Sequence, residues 1–333
     1  MTETTRTRWS LAALIPKHNA TISAAILVLV VLIFLVATQG LIISAGSLNL
    51  LATFGPEIIL MTLGMGLVLL VGQIDLSVGS MYIASSVVFA GLARYLEISP
   101  WLSVVAALLS GVLLGLVNGL LVVTTRISSF IVTLGTMWGF QGLMLVILGA
   151  TTIPIYRQDD VFNPHDLFAG RLLGLPTQVI WLLVIVVTLG WVRNRTRFGV
   201  WMQAVGSNVR AAKMMGLPTR LVTIMAFTIS GALAGLAGVI RASQSSQAVP
   251  QSGEGVMLMV LAGAIIGGVS LSGGKGDVLG PFLGGLTLLV ISTGFVMMGV
   301  VNFWTNILIA IAVIATAVAF DRLEALRVRR SIR

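Results

Sequence analysis

The sequence contains no cysteine and only two histidines, His18 and His165. The lack of thiols excludes disulfide bonds, thiolate catalysis and cysteine-ligated metals, and two histidines are too few ligands for a metal cluster. Charged residues are also scarce, since Asp, Glu, Lys and Arg together make up 9% of the chain. We therefore expect no metal site and no catalytic residue in this chain, and we interpret both histidines as ordinary loop residues.

Apolar residues, in contrast, are abundant: they make up 57% of the chain, and the mean hydropathy is +1.05. The run "AAILVLVVLIFLVA" (Ala24–Ala37) has no polar residue at alternate positions, which excludes the strands of a membrane barrel. In lipid, the backbone groups of such a run must be hydrogen-bonded within a helix. The sequence therefore predicts an all-α integral membrane protein.

About ten membrane spans can be assigned by length and hydropathy. They are Thr21–Thr38, Leu51–Val71, Gly79–Tyr95, Trp101–Val123, Phe130–Leu148, Gln178–Val192, Leu221–Ile240, Val256–Val269, Val278–Met298 and Phe303–Phe320. The first follows a polar tail, residues 1–20, and has no small-residue cleavage site behind it, so we interpret it as an anchor and not a signal peptide. The prediction is a single transmembrane domain over residues 21–320, followed by a basic tail, residues 321–333.

The basic residues predict the orientation of these spans. With the N-terminus in the cytoplasm, 16 of the 20 Lys and Arg residues lie inside, and only Arg94, Arg157, Arg171 and Arg241 lie outside. This asymmetry favours a topology in which both termini are cytoplasmic. The net charge of +9 is then explained by orientation and by anionic lipid, so we expect no nucleic-acid partner.

The soluble segments are too short to form a catalytic domain. The outside segment 149–176 could form a cap or a docking rim, but it is too short to fold alone. The run "LSGGKG" (Leu271–Gly276) is not a phosphate loop, because Val269 stands where the first glycine is required and Gly276 stands where Ser or Thr is required. We therefore expect this chain not to hydrolyse ATP itself.

Two span ends resemble each other. "VGQIDLSVGS" (Val71–Ser80) aligns without gaps with "IGGVSLSGGK" (Ile266–Lys275), so that Gly72, Leu76, Ser77 and Gly79 match Gly267, Leu271, Ser272 and Gly274. The match suggests a parallel internal repeat, although chance similarity among residues that this chain uses often remains an alternative. Short hydrophobic segments interrupted by glycine are typical of transport pathways, so broken or re-entrant segments are expected near residues 71–80 and 256–275.

Few charges lie within the spans, which disfavours a proton-driven carrier. The acidic residues assigned to hydrophobic runs are Glu57, which follows Pro56 in a helix-entry position, and Asp75. Asp75 is a candidate gate or pathway residue, and an equally good interpretation is a cap for the third span. The other pathway and gate candidates are uncharged, as suits a neutral, hydroxylated solute: Ser77, Gly79, Asn118, Thr133, Thr136, Gln141, Gly267, Gly268 and Ser272.

Further polar and aromatic residues could contact such a solute. Asn302 and Asn306 could donate hydrogen bonds, and Trp138 and Trp304 could stack on a sugar ring. Interhelical hydrogen bonding and anchoring at the membrane interface are the alternative roles of these residues.

A short basic helix is predicted in the longest cytoplasmic loop, residues 192–220. Asn208 is a good N-cap, Val209–Met215 is the helix, Gly216 follows its C-terminus and Pro218 prevents continuation. Such a helix could pass force between the membrane and a cytoplasmic partner. A surface helix lying on lipid headgroups is the alternative.

Several motifs resemble permeases of ATP-binding cassette (ABC) importers of the ribose type. "NVRAAKMMGLP" (Asn208–Pro218) resembles their coupling motif, Glu-Ala-Ala, three residues, Gly. The resemblance continues, in the same order along the chain, through "IDLSVGS" (Ile74–Ser80), "GLVNGLLV" (Gly115–Val122), "SFIVTLGTM" (Ser129–Met137), "SGALAGLAGVI" (Ser230–Ile240) and "IIGGVSLSGGKG" (Ile265–Gly276).

The resemblance implies a permease in a bacterial-type plasma (inner) membrane. It implies a second permease copy or paralogue, a cytoplasmic ABC ATPase that binds ATP and Mg²⁺, and an extracytoplasmic binding protein that delivers a monosaccharide or similar small solute. The ATPase-coupling residues would be Asn208, Arg210, Ala211, Ala212, Gly216 and Leu217. Arg210 stands where the family usually has glutamate. The alternatives are an ion-coupled secondary carrier and a membrane scaffold or receptor that transports nothing.

Overall fold

The computed structural model describes residues 19–149, 151–155, 163–250 and 253–300 and eight scattered positions from 304 to 322. Its helices are α1 (Asn19–Ala37), α2 (Ala45–Leu70), α3 (Val78–Tyr95), α4 (Pro100–Thr125), α5 (Ser129–Leu148), α6 (Pro164–Ala169), α7 (Thr177–Arg195), α8 (Arg197–Ser207), α9 (Val209–Met214), α10 (Thr219–Ser245), α11 (Gly253–Ile266) and α12 (Leu279–Met297). A 3₁₀ turn, Leu41–Ile43, lies between α1 and α2.

Seven helices of the described part are long and apolar enough to cross a membrane: α1, α2, α4, α5, α7, α10 and α12. Each coincides with a predicted span. The third and eighth predicted spans are also helical, as α3 and α11, but α11 is short, as its sequence suggested. Most of the tenth predicted span and most of both tails lie outside the described residues. Asn302, Asn306 and His18 lie outside them entirely.

The start of α2 differs from the prediction. Ser44 caps this helix by accepting a hydrogen bond from the Ser47 amide, so Pro56 lies inside the helix. The helix-entry position predicted for Glu57 is therefore wrong. Pro56 removes only one backbone donor, and packing on all sides keeps the helix continuous, because most of α2 is buried inside the protein.

Burial divides the helices into a centre and a periphery. Most of α2 and α10 is buried, whereas only about a tenth of α5 and a fifth of α7 is buried. In water such large exposed apolar faces would be unfavourable, but lipid or a second membrane subunit covers them at no such cost. The burial pattern is therefore that of a membrane protein whose core is built around α2 and α10.

Glycines bring α4 and α10 into backbone contact. A Cβ atom on Gly111 would lie 2.5 Å from the Gly231 carbonyl oxygen, and one on Gly115 would fall on the Phe227 carbonyl oxygen. Glycines at four-residue spacing allow this close approach, which is a common way for helices to associate in membranes. The contact holds the polar residues of α4 and α10 beside the end of α2.

Between α5 and α7 the described residues form α6 and three short strands, one of which pairs with a strand that follows α10. Strand β1 (Ile153–Pro154) pairs with β4 (Gln247–Ala248), and β2 (Arg171–Leu172) pairs with β3 (Leu175–Pro176), both antiparallel. The Phe168 ring stacks on Trp181 at 5.5 Å, which ties α6 to α7. These four two-residue strands are a minor exception to the all-α class.

Candidate coupling and gating site

The chain between α2 and α3, residues 71–77, is named here the first break. It begins with a Schellman motif: Gly72 has a φ of +75°, and the Gln73 amide donates to the Val68 carbonyl at 3.0 Å. This left-handed conformation favours glycine, which explains why the helix ends there. The chain is therefore not helical between Leu70 and Val78, while the predicted broken or re-entrant character of this segment stays a prediction.

Asp75 is the polar centre of the first break. Its Oδ1 accepts hydrogen bonds from the Ser77 amide at 3.0 Å and the Ser77 hydroxyl at 2.6 Å, and its Oδ2 accepts from the Ser230 hydroxyl at 3.3 Å. All three residues are fully buried. Asp75 thus organises the turn that leads into α3 and fastens that turn to α10, but it is not the N-cap of α3, since Ser77 holds that position.

Two further helices hold the first break through buried side chains. The Leu76 amide donates to Thr133 Oγ1 on α5 at 3.0 Å, and Asn118 Nδ2 on α4 donates to the Ser77 hydroxyl at 2.5 Å. The structure therefore brings four predicted pathway residues, Asp75, Ser77, Asn118 and Thr133, into one buried polar cluster. All four residues are fully buried.

Three other candidates border this cluster or lie farther along the same helix. Gly79 is buried within the first turn of α3, while Thr136 and Gln141 are half-buried along α5, and the Thr136 hydroxyl donates to the Thr133 carbonyl at 3.3 Å. Trp138 and Trp304 are both about three-fifths exposed. The aromatic candidates therefore do not contact the buried polar cluster.

The chain between α11 and α12, residues 267–278, is named here the second break. It begins with the same motif: Gly268 has a φ of +78°, and the Val269 amide donates to the Ala264 carbonyl at 3.2 Å. The glycine equivalent to Gly72 is therefore Gly268, so the predicted match with Gly267 is wrong by one residue. A Cβ on Gly267 would instead fall on the Gly280 backbone of α12.

The ungapped alignment also fails beyond this point. Gly79 is helical, whereas Gly274 lies in the loop with a φ of +73°, because the second break is the longer of the two. Its Asp277 accepts a hydrogen bond from the Gly280 amide at 2.6 Å, so a carboxylate stands before α12 much as Asp75 stands before α3. The sequence reasoning overlooked Asp277, although a carboxylate just before an apolar run is a helix-start signal.

The predicted basic helix is present as α9. Asn208 Oδ1 accepts from the Ala211 amide at 3.0 Å, and Gly216, with a φ of +78°, ends the helix in a Schellman motif. The helix ends at Met214, one residue earlier than predicted. The preceding helix α8 was not predicted, although Thr196 is its N-cap and apolar residues at helical spacing follow.

The two sides of α9 differ in exposure. Ala212 is buried, and Leu217 packs against the core just beyond the helix. Met214 and Met215 are 84% and 79% exposed, and Arg210 is also exposed. The segment therefore presents flexible apolar side chains and positive charge outward while its other side holds it to the protein.

The end of α8 contacts both breaks. The Gly274 amide of the second break donates to the Leu70 carbonyl at the end of α2 at 2.9 Å. Gly206 of α8 lies against that same carbonyl. The residues that lead into α9 therefore meet the first and second breaks at a single point.

An ion pair joins α2 to α10 at the edge of the helical core, where the Arg241 side chain is 45% exposed. Glu57 Oε1 lies 3.5 Å from Arg241 Nη1, and Glu57 Oε2 accepts from the Tyr82 hydroxyl at 3.3 Å. Arg241, which the predicted topology places outside the membrane, lies near the end of α10, and its exposed side chain reaches the buried Glu57 carboxylate of α2. Among the described residues no group of three or more Asp, Glu, His or Cys could hold a metal ion.

The sequence matches known permeases over most of its length. Residues 47–317 match the family described as branched-chain amino acid transport system / permease component. Ribose import permease protein RbsC of Escherichia coli K12 is 34% identical over 79% of this chain and 81% of its own length. The D-allose transport system permease protein AlsC of the same strain is 36% identical over 83% of each chain.

A third relative matches a larger share of the chain. Autoinducer 2 import system permease protein LsrC of E. coli O157:H7 is 31% identical over 92% of this chain and 89% of its own length. No solved structure is significantly similar to the chain. The helical membrane architecture and these matches agree with the resemblance seen in the motifs: the chain belongs to the inner-membrane permease family of ABC importers, in its ribose-type branch.

Proposed function

We propose that this permease carries a monosaccharide, or a similar small hydroxylated solute, across the inner membrane. The similarity to the ribose and D-allose permeases, over about four fifths of the chain, is the observation that carries this proposal. Uncharged polar side chains such as Thr136 and Gln141, half-buried on α5, suit a neutral solute with many hydroxyl groups. A nucleoside or a polyol belongs to the same chemical class.

The proposed topology has ten spans with both termini in the cytoplasm. Under it α2 ends at the cytoplasmic side, and α8 and α9 lie in the cytoplasm. The first break, the second break and the end of α8 then meet near the inner membrane surface. The strong inside excess of Lys and Arg supports this orientation.

The proposed assembly has two permease subunits, as identical copies or paralogues, and two kinds of partner. A cytoplasmic ABC ATPase that binds ATP and Mg²⁺ docks on α9, while an extracytoplasmic binding protein delivers the solute. This chain itself hydrolyses no ATP. The exposed Met214 and Met215 support docking at α9, because methionine side chains adapt to apolar grooves.

Transport is driven by two states of the ATPase that press differently on α9. ATP-driven closure of the ATPase displaces residues 208–217 and opens the pathway outward, and hydrolysis resets it. A partner can shift such an equilibrium only if it binds the two states with different affinity. The buried cluster around Asp75 is the closed state of the gate in this scheme.

Arg210 sets the charge of the docking surface. Because the family's usual residue here is glutamate, the ATPase groove that receives this chain should offer a carboxylate. Exchange of Arg210 for glutamate would then weaken assembly with the natural ATPase, most strongly at low salt.

Reconstitution tests the proposal. Proteoliposomes with the permease, its ATPase and its binding protein should take up radiolabelled ribose or D-allose only when ATP is present. Uptake without the ATPase would support a secondary carrier instead. Binding of partners without flux of any sugar would support a scaffold.

Gly216 tests the role of α9 in the same assay. Its φ of +78° disfavours a β-branched side chain, while the space around it is open, so Gly216→Val distorts the end of α9 without a clash. We expect Gly216→Val to lose uptake while the ATPase still co-purifies. Gly216→Asn is the matched control, because asparagine tolerates this conformation, and equal uptake by both variants would remove α9 from the coupling route.

A further inference from the structure

Four glycines from three chain segments form a backbone contact that we name the glycine junction: Gly72, Gly206, Gly273 and Gly274. A Cβ atom on Gly206 would fall on the Leu70 carbonyl oxygen and lie 2.5 Å from the Gly274 nitrogen. One on Gly273 would lie 2.7 Å from the Gly72 Cα. No side chain separates these segments, so each backbone bears directly on the next.

The junction continues into α9 without a linker. Ser207 is the last residue of α8, and Asn208 is at once the C-cap of α8 and the N-cap of α9. A Cβ on Gly274 would lie 2.6 Å from the Ser207 Cα, so the second break touches the residue just before this shared cap. A displacement of α9 therefore reaches the junction within two residues.

An arginine makes a second connection on the same side. Arg193, in the last turn of α7, donates through Nη2 to the Gly276 carbonyl of the second break at 3.3 Å and to Gln203 Oε1 of α8 at 3.1 Å. The second break is thus tied to α8 through a side chain as well as through backbone. The first break leads in turn from Gly72 to the buried Asp75 cluster within three residues.

We propose that the glycine junction makes the end of α8 and the two breaks move as one body when α9 is displaced, so that a single coupling helix acts on both breaks. The inference rests on the proposed function, because it assumes that a partner displaces α9. Closely packed backbone transmits displacement without the rotamer changes that long side chains allow. Glycine at these positions is therefore a mechanical requirement for coupling.

A glycine-to-alanine substitution tests the junction. Gly206→Ala forces the backbone of α8 away from α2, since the obstructing atoms belong to backbone and have no rotamer to change. Gly190→Ala on α7 is the matched control, because nothing lies within 4 Å of the added methyl. Both variants would be reconstituted with the ATPase and binding protein and compared with wild type.

Gly206→Ala should uncouple the complex. We expect the ATPase to co-purify and hydrolyse ATP at its basal rate, while solute-stimulated hydrolysis and ribose or D-allose uptake fall by about tenfold, the scale of mutations along a coupling route. A role in stability alone would lower the amount of complex and leave uptake per complex unchanged. Stimulation and uptake equal to those of Gly190→Ala would overturn the proposal.

A tether gives the opposite test and stays decisive if Gly206→Ala fails to assemble. The chain has no cysteine, so Ser207→Cys and Lys275→Cys, two exposed positions on either side of the junction, can be joined by a short bifunctional thiol reagent. Segments that move as one body tolerate this bridge, so uptake should stay within about twofold of the unbridged double variant. Loss of uptake on bridging would show that the segments must separate.

The wild-type complex separates failure of the inference from failure of the function. If wild type takes up no sugar with ATP, the proposed solute or coupling is wrong, whatever the variants do. If wild type transports and Gly206→Ala matches its control, only the glycine junction is refuted.

Discussion

The two breaks begin with the same backbone motif but are held in different ways. Gly72 and Gly268 end their helices with nearly equal left-handed φ angles. The first break is then fixed by buried side chains from α4, α5 and α10, with Asp75 at the centre. In the second break Leu271, Ser272 and Lys275 are exposed, and the contacts run mainly through glycine backbone and Arg193.

Because of this difference, moving the first break should cost more free energy than moving the second. To open the first break, buried polar groups must exchange partners, and an unpaired buried group costs about 1–3 kcal/mol. The second break can shift against solvent with fewer bonds lost. The end of α8, which contacts both breaks, therefore meets one break that is firmly held by the core and one that is more exposed.

The largest effect should come from separating α4 and α10, because their contact brings Asn118 and Ser230 to the first break. In Gly115→Leu the new side chain meets the Phe227 backbone. We therefore expect the free energy of unfolding to fall by about 3 kcal/mol or more, which would lower the thermal unfolding midpoint in detergent. Gly91→Leu on α3 is the control, because nothing lies within 4 Å there. Equal midpoints would mean that the α4 and α10 contact is not what fixes the first break.

The next largest effect should follow from removing the Asp75 carboxylate. Asp75→Ala leaves the Ser77 amide and hydroxyl and the Ser230 hydroxyl without their acceptor, at an expected cost of about 2–4 kcal/mol. Asp75→Asn keeps one oxygen acceptor and should lose less unfolding free energy than Asp75→Ala. A wild-type midpoint in Asp75→Ala would contradict the view that this cluster stabilises the closed state.

The architecture was largely predictable because hydropathy reports burial in lipid directly. Every described helix that is long and apolar enough to span coincides with a predicted span. The start of α2 was missed since Pro56 usually marks a helix entry, and only tertiary packing keeps a helix continuous through it. Helix α8 was missed because its apolar face is short and lies in a loop that reads as polar.

The site was predictable in its residues but not in its geometry. Polarity within or beside apolar runs marks Asp75, Asn118 and Thr133 in the sequence, and the match between the two span ends marks Ser77; the structure gathers all four. Their meeting depends on the glycine contacts between α4 and α10, which a sequence shows only as two glycine-rich helices. No local sequence pattern indicates the contact of Gly206 with both breaks, because this contact joins segments that are far apart in the chain.

A smaller effect is expected at Thr133, which separates hydrogen bonding from packing in the first break. Thr133→Val keeps the volume but leaves the buried Leu76 amide without its acceptor, so the expected loss is about 1–2 kcal/mol. Thr136→Val, one turn along α5, is the matched control, since the Thr136 hydroxyl bonds only locally to the Thr133 carbonyl. If the two variants have the same thermal unfolding midpoint, α5 does not anchor the first break.

The smallest effect should come from Asp277, the carboxylate of the second break. It is half-buried and accepts one amide, that of Gly280, so Asp277→Ala should cost about 1 kcal/mol, the usual value of a helix N-cap. Asp277→Asn retains an acceptor and should match wild type in thermal unfolding. A loss in Asp277→Ala as large as that in Asp75→Ala would mean that both breaks are equally fixed. A second break anchored as firmly as the first could not yield to the movement of α9 that we propose, so that movement would have to be taken up elsewhere.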